Sequence, residues 1–90
     1  MTLEEAFMIS YSKETCVGAV LGYGADEDVI LAPVGEDFTD EFCKERVCTI
    51  EAVGDVLIYW LDLRPEQYAN MGVKAVGTYK QLVDRVTKGA

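Results

Sequence analysis

The sequence predicts an α+β fold, in which a small antiparallel sheet of three or four strands packs against two helices. Three observations predict it: strand-forming runs separated by turn residues in the first third, apolar residues at helical spacing after residue 39, and an amphipathic segment after Pro65. The 90 residues, half of them apolar, match the length and composition of one domain. We therefore expect residues 1–90 to form a single compact unit with element order roughly βββα(β)α.

The first third is rich in strand formers. Three segments separated by turn residues are predicted as strands: 6–11, 15–23 and 28–34. Pro33 cannot donate to a strand ladder, so the third strand ends there or lies at an edge. The first segment has an alternative, because residues 2–13 can also form a helix that Thr2 caps, with Glu5 at the capping-box position.

The middle of the chain predicts a helix followed by an undecided segment. Thr39 or Asp40 can cap the helix, and apolar residues then follow helical spacing at Phe42, Cys43, Val47, Ile50 and Val53. Gly54 either ends this helix before a buried strand over residues 55–61, or lies inside a longer helix at a cost of about 1 kcal/mol. Run length and aromatic content favour the strand.

The last third predicts one closing helix. Pro65 suits its first turn, and an apolar stripe runs from Tyr68 to Val86. Lys88 and Gly89 are typical of a helix end, while Gly72 weakens the helix and marks a potential break.

The sequence lacks residues that several common kinds of catalytic and binding site require. The chain has no histidine, the usual side chain for proton transfer near neutral pH. A dinucleotide-binding fingerprint that begins at Gly22 has Glu27 where its third glycine is required. Three cysteines, Cys16, Cys43 and Cys48, do not make a usual zinc site without histidine. We therefore predict no catalytic residues, no metal and no cofactor.

The cysteine count and the chain start indicate the compartment. An odd number of cysteines, with no basic start or apolar run like that of a secretory signal, points to a reducing compartment and to thiols packed as small hydrophobes. No apolar stretch approaches the roughly 18 residues of a membrane span. We expect a cytoplasmic protein, in the host cytoplasm if the gene is viral.

Two short segments resemble enzyme families. Residues 51–57, with Tyr59 beyond them, resemble the metal-binding helix of the all-helical MazG-type nucleotide pyrophosphohydrolases. Residues 7–21, with the later 49–51, resemble the start of a retroelement ribonuclease H domain, although its catalytic aspartate would fall near Tyr11 or Ser12, so that chemistry would be lost. The first resemblance implies a helix that holds a metal, and the second implies a strand at Phe7.

Negative charge is concentrated in the front half of the chain. Sixteen acidic and eight basic residues give a net charge of −8, and residues 1–50 carry all of it, with eleven acids against three bases. Nucleic acids and anionic membranes are bound by clustered Lys and Arg, so direct binding to either is not expected. An acidic surface instead attracts Arg and Lys clusters and can imitate phosphates. Exposed loops and helix starts also collect acids without any function.

The first functional hypothesis is a small non-enzymatic interaction protein that docks on a basic, potentially nucleic-acid-binding, surface of a larger protein and inhibits or regulates it. Such a profile is typical of virus-encoded inhibitors. The proposed contacts, expected on one continuous exposed flank, are Asp26, Glu27, Asp28, Glu36, Asp37, Asp40 and Glu41, with Phe38 or Phe42 as apolar anchor.

Two alternatives stay open. The first is an accessory subunit of a larger assembly, or a homo-oligomer, held by aromatic and apolar residues that the core cannot bury: Tyr59, Trp60, Tyr68, Met71 and Tyr79. The second is a small nucleotide-acting enzyme with carboxylate-bound Mg²⁺.

Overall fold

The computed structural model describes residues 1–11 and 17–88. Its elements, in chain order, are α1 (Leu3–Tyr11), β1 (Val17–Tyr23), β2 (Asp28–Pro33), α2 (Asp40–Cys43), β3 (Val47–Val53), β4 (Val56–Leu61), α3 (Pro65–Tyr68), a 3₁₀ turn (Ala69–Met71), β5 (Val73–Thr78) and α4 (Tyr79–Lys88). The predicted α+β class is confirmed. The predicted sheet of three or four strands with two helices is wrong, because the described residues form five strands and four helices.

The sheet is mixed and not purely antiparallel. Its strand order is β3-β4-β1-β2-β5. Central strands β1 and β4 run parallel, whereas the β1–β2, β3–β4 and β2–β5 pairs are antiparallel. Two hairpins therefore lie side by side through their parallel strands, and β5 adds one edge.

Helices cover both faces of the sheet. Because side chains alternate along a strand, Tyr59 and Leu61 of β4 pack in the core that holds buried residues of α1, α2 and α3. Ile58, which precedes Tyr59, packs with Leu82 of α4 in a second core on the opposite face, and Trp60, between Tyr59 and Leu61, packs against it. This double burial explains why β4 reads as a continuous apolar run.

The predicted strand over residues 6–11 is wrong, and the helical alternative is correct. The Thr2 backbone N–H donates to Glu5 Oε1 at 2.9 Å, and the Glu5 N–H donates to Thr2 Oγ1 at 3.4 Å, which completes a capping box. The Thr2 N–H and the Thr2 hydroxyl, which donates to the same Oε1 at 3.1 Å, lower the pKa of the Glu5 carboxyl. Leu3 and Ala6 are fully buried, so the cap and one buried face stabilise a helix despite the strand-forming residues that follow. The ribonuclease H resemblance, which needs a strand at Phe7, does not hold.

The strands predicted over 15–23 and 28–34 are confirmed where the structure describes them, as β1 and β2. The long middle helix is wrong. Thr39 does cap a helix, with Phe42 N–H donating to Thr39 Oγ1 at 3.2 Å, but α2 has only four residues. Residues 47–53 form β3 instead, because the β-branched residues that fit helical spacing also favour a strand.

Gly54 makes the β3–β4 turn and does not end a helix. Val53 pairs with Val56, which leaves a two-residue connection, and Gly54 has φ +58°. A positive φ at the first of two turn residues is the position that type II′ hairpins assign to glycine. A Cβ added there would also lie 2.6 Å from Val86 Cγ1 of α4. The strand prediction for 55–61 is confirmed as β4, and the MazG-type resemblance fails because its residues form this hairpin.

The single closing helix is wrong, although its predicted break at Gly72 is confirmed. Pro65 begins the short α3, and the 3₁₀ turn ends at Gly72, which has φ +70°. β5 follows as the neighbour of β2. Thr78 then starts α4 through a second capping box with Gln81: Thr78 N–H donates to Gln81 Oε1 at 3.0 Å, and Gln81 N–H donates to Thr78 Oγ1 at 3.1 Å. Gly89 lies outside the described residues.

Candidate functional site

Three phenylalanine rings form a row that runs from the core to the surface. Phe42 of α2 is fully buried and stacks on Phe38, with ring centroids 4.9 Å apart and planes 25° apart. Phe38, in the loop before α2, stacks in turn on Phe7 of α1 at 5.8 Å and 18°. Phe38 and Phe7 are only half-buried. Because Phe38 is stacked between Phe42 and Phe7, Phe7 is the outermost ring of the row and the one that offers aromatic surface.

This row opens into a surface cleft of about 390 Å³. The lining residues, which we name the acidic–aromatic cleft, are Phe7, Pro33, Glu36, Asp37, Phe38 and Cys43. Glu36 and Asp37 are exposed. Aromatic faces attract cations, and carboxylates accept paired hydrogen bonds from a guanidinium. The cleft therefore combines the two groups that suit an arginine side chain.

A neighbouring depression extends the negative region. Its lining residues are Glu4, Asp40, Cys43 and Lys44. Cys43 belongs to both depressions, and partial burial raises the pKa of its thiol, as do the carboxylates of Asp40, Glu4 and Asp37 in decreasing order. The thiol thus lies in a negative potential, although Lys44 contributes one positive charge.

The predicted contact residues fall into two groups. One group lies at the β1–β2 turn and the start of β2: Asp26, Glu27 and Asp28. The other lies in the loop after β2 and in α2: Glu36, Asp37, Phe38, Asp40 and Glu41. Asp28 and Pro33 are the two ends of β2, which are about 17 Å apart at the usual rise per residue. The structure does not bring both groups together at one end of the sheet.

The turn group has a structural explanation. Gly24 N–H donates to the Glu27 carbonyl at 2.8 Å, which closes the turn. Asp28 lies close enough to Tyr79 to contribute to the raised pKa of that phenol, whose larger causes are its hydrogen bond to Glu51 and burial. Because Val29 pairs with Thr78, the residue before α4, Asp28 lies beside the start of that helix, where negative charge is favourable.

Glu51 is held by two aromatic side chains on the α4 face. Tyr79 Oη donates to Glu51 Oε1 at 2.8 Å, and Trp60 Nε1 donates to Glu51 Oε2 at 3.4 Å. The Trp60 and Tyr79 rings are 5.1 Å apart. The two carboxylate oxygens of Glu51 thus link β3 to α4 through Tyr79 and to β4 through Trp60. Of the apolar residues proposed for an assembly interface, Tyr59 and Tyr68 are buried, while Trp60, Met71 and Tyr79 are half-buried and pack against the two cores.

A second cleft, of about 410 Å³, lies at the carboxyl ends of the parallel strands β1 and β4. Its lining residues are Tyr23, Cys48, Thr49, Trp60, Leu61 and Asp62. Ligands of open α/β sheets bind at this end. Here, however, the Arg64 guanidinium already lies 5.5 Å from the centre of the Tyr23 ring. This cleft also has one carboxylate where the acidic–aromatic cleft has two, so we take the latter as the candidate site.

The two described cysteines are free: Cys43 is half-buried and Cys48 is exposed. The prediction of packed thiols is therefore wrong for Cys48, and Cys16 lies outside the described residues. Within residues 1–11 and 17–88, no three His, Cys, Asp or Glu side chains are grouped so that they could hold a metal ion. No helix in this part of the chain is long and apolar enough to cross a membrane.

Sequence reasoning missed Phe7, Glu4 and Cys43 as part of the site. The cause is the strand predicted over 6–11, which separated Phe7 from the loop residues. The signal was present in the Thr2–Glu5 capping box, because a helix from Leu3 places Glu4 and Phe7 three positions apart on neighbouring turns.

Comparison with known proteins adds no relative: no family model, curated sequence or solved structure matches this chain. A functional proposal therefore depends on the geometry and charge of the acidic–aromatic cleft.

Proposed function

We propose that this protein is a small, acidic, non-enzymatic interaction protein. Its acidic–aromatic cleft would bind an arginine-rich surface of a larger protein and thereby inhibit or regulate that protein. One observation carries the proposal: the carboxylates of Glu36 and Asp37 line the same cleft as the stacked rings of Phe7 and Phe38.

The chemistry of the cleft selects the ligand group. A guanidinium can stack on an exposed ring face while its N–H groups pair with carboxylates. A phosphate or an anionic lipid headgroup would instead meet Glu36, Asp37 and the neighbouring Asp40 as like charges. This contrast favours a basic protein over nucleic acid or an anionic membrane.

The rest of the charge distribution supports the same proposal. The three exposed cations of α4, Lys80, Arg85 and Lys88, belong to the helix that packs on the opposite face of the sheet from α1 and α2. They are therefore poorly placed to neutralise the cleft. The turn group of Asp26, Glu27 and Asp28 would act at longer range, by raising the rate at which a cationic partner approaches.

A charge-reversal pair tests the proposal. Binding of a fluorescent arginine-rich peptide is followed by anisotropy at low and at moderate salt. The double variant Glu36→Lys/Asp37→Lys is expected to weaken binding by at least about tenfold, because it replaces carboxylates in contact with the ligand by like charges. Rising salt is expected to weaken binding to the unmodified protein.

The matched control is Asp26→Lys/Glu27→Lys, which changes the net charge equally at the far end of β2. It is expected to weaken binding by no more than about threefold, through the long-range term alone. Circular dichroism verifies that both variants fold. An equal loss of peptide affinity in the two variants would show that only the overall charge of the protein affects binding. A wild-type protein that does not bind the peptide would contradict the proposal.

A further inference from the structure

The two edges of the sheet differ in how they are protected. β3 and β5 are the edge strands. β5 presents the exposed Lys74, and its register with β2 skips Val76, which is 54% exposed. Natural sheets use a lysine and a bulge at an edge to prevent pairing with another chain. The β5 edge is therefore protected.

The register of β3 with β4 also shifts, between Val47 and Thr49 at the start of the strand, so among the described residues the β3 edge is regular and open only from Thr49 to Val53. The first residues of the chain pair with its start: Leu3 N–H donates to the Glu45 carbonyl, and Val47 N–H donates to the Met1 carbonyl, both at 2.9 Å. Beyond this contact, no described strand or bridge pairs with the outer edge of residues 48–53. These residues include no Lys, Arg or Pro, and Ile50 is 43% exposed.

The hairpin geometry directs specific backbone groups outward. Val53 and Val56 flank the two-residue turn and thus form a hydrogen-bonded pair. Hydrogen bonding alternates along an antiparallel pair. The N–H and C=O groups of Glu51 therefore point to β4, and those of Ile50 and Ala52 point away from the sheet.

We propose that two copies of this protein pair antiparallel through their β3 edges, with Ile50 opposite Ile50 of the second copy. This register places Thr49 opposite Glu51, while Cys48, which the β3–β4 register skips, faces Ala52 at the irregular end of the pairing. It joins the sheets of the two copies into one continuous sheet around a twofold axis, a closed arrangement in which both copies use the same surface.

The β3 edge suits a second copy of the chain as its partner because its side chains complement one another in this register. The pairing matches apolar with apolar residues on the α1 face and Thr49 with Glu51 on the α4 face. A shift of two residues would instead place Glu51 opposite Glu51 of the second copy, and directly opposed like charges are destabilising. Glu51 is the one charged residue among residues 48–53, so this edge is nearly neutral in a chain of net charge −8.

The strength and salt dependence of the dimer follow from its size and charge. Three residues of each copy, Thr49 to Glu51, would pair in regular register, which gives a small interface and a dissociation constant of about 0.1–1 mM. Because both copies are strongly negative, added salt screens their repulsion and is expected to strengthen the dimer. Binding of a cationic peptide in the cleft has the opposite salt dependence, so the two proposals are tested independently.

Sedimentation equilibrium at concentrations spanning this range tests the proposal. Wild-type protein is expected to show a monomer–dimer equilibrium, and Ile50→Lys is expected to be monomeric. Val76→Lys, the same change on the protected β5 edge, is expected to dimerise like wild type. A wild-type protein that stays monomeric at the highest concentration, or equal effects of the two lysine variants, would overturn the proposal.

A cross-link tests the register. Opposite residues of a hydrogen-bonded antiparallel pair have Cα atoms about 5.5 Å apart, within reach of a disulfide. In the background Cys16→Ser/Cys43→Ser/Cys48→Ser, Ile50→Cys is expected to form a disulfide dimer on mild oxidation, and Val76→Cys is expected to form little. Cross-linking that is no faster at residue 50 than at residue 76 would contradict the Ile50-centred register.

Discussion

Replacing Phe42 with alanine is expected to lower the free energy of unfolding by about 3–5 kcal/mol. Phe42 is fully buried in the core that joins α1, α2 and α3 to the sheet, and it supports Phe38 by stacking. A four-residue helix cannot be stable alone, so α2 depends on this side chain to stay in place. For a chain of this length, the loss is a large share of a total stability of about 5–13 kcal/mol.

Urea denaturation followed by circular dichroism measures this loss. Phe42→Leu is the matched control, because it keeps an apolar side chain of similar reach and is expected to cost about 1.5 kcal/mol or less. A loss below about 1 kcal/mol in Phe42→Ala would show that α2 does not anchor the core in the way described.

Replacing Phe38 with alanine is expected to have its main effect on binding. It should weaken the affinity for an arginine-rich peptide about tenfold, equivalent to about 1.4 kcal/mol, because Phe38 is stacked between Phe42 and Phe7 and holds Phe7, the outer ring that a guanidinium can reach, in place. Phe38 is only half-buried, so the variant is expected to lose about 1–2 kcal/mol of stability and to remain folded. Anisotropy titration and urea denaturation of the same protein separate the two effects.

Phe38→Tyr serves as the control for this variant. It keeps the ring that supports Phe7 and is expected to bind within about threefold of wild type. If Phe38→Ala binds as well as Phe38→Tyr, the ring contributes nothing to recognition. Peptide binding in the cleft would then depend on its carboxylates alone.

Local signals in the sequence predicted the parts of the fold that local chemistry decides. Thr39 caps α2 as expected, Pro65 begins α3, and the break at Gly72 follows from the positive φ that a glycine adopts easily. The strand at 56–61 was predictable because its apolar run is too short and too aromatic for a typical helix.

The errors arise where packing partners decide between two local preferences. Residues 47–53 fit both a helical stripe and a β-branched strand, and the hairpin with β4 selects the strand. Residues 73–78 looked like part of one amphipathic helix, yet they supply the neighbour that β2 needs. Nothing local reveals such partners.

The candidate site was predictable only in part. Glu36, Asp37 and Phe38 were identified from charge and aromatic character, but their combination with Phe7 depends on α1 packing beside the loop before α2. The distance between the acidic residues of the β1–β2 turn and those of the loop after β2 depends on β2, which runs between them. Both facts concern non-local arrangement, which composition and periodicity do not encode.

The most direct test of the central claim is to locate the bound peptide on the molecule. ¹⁵N-labelled protein is titrated with the arginine-rich peptide, and backbone amide shifts are followed by NMR. The largest changes are expected at Phe7, Glu36, Asp37, Phe38 and Cys43, with small changes at Asp26 and Glu27. Shifts that are largest at the β1–β2 turn, or that spread evenly over both acidic groups, would contradict binding in the acidic–aromatic cleft.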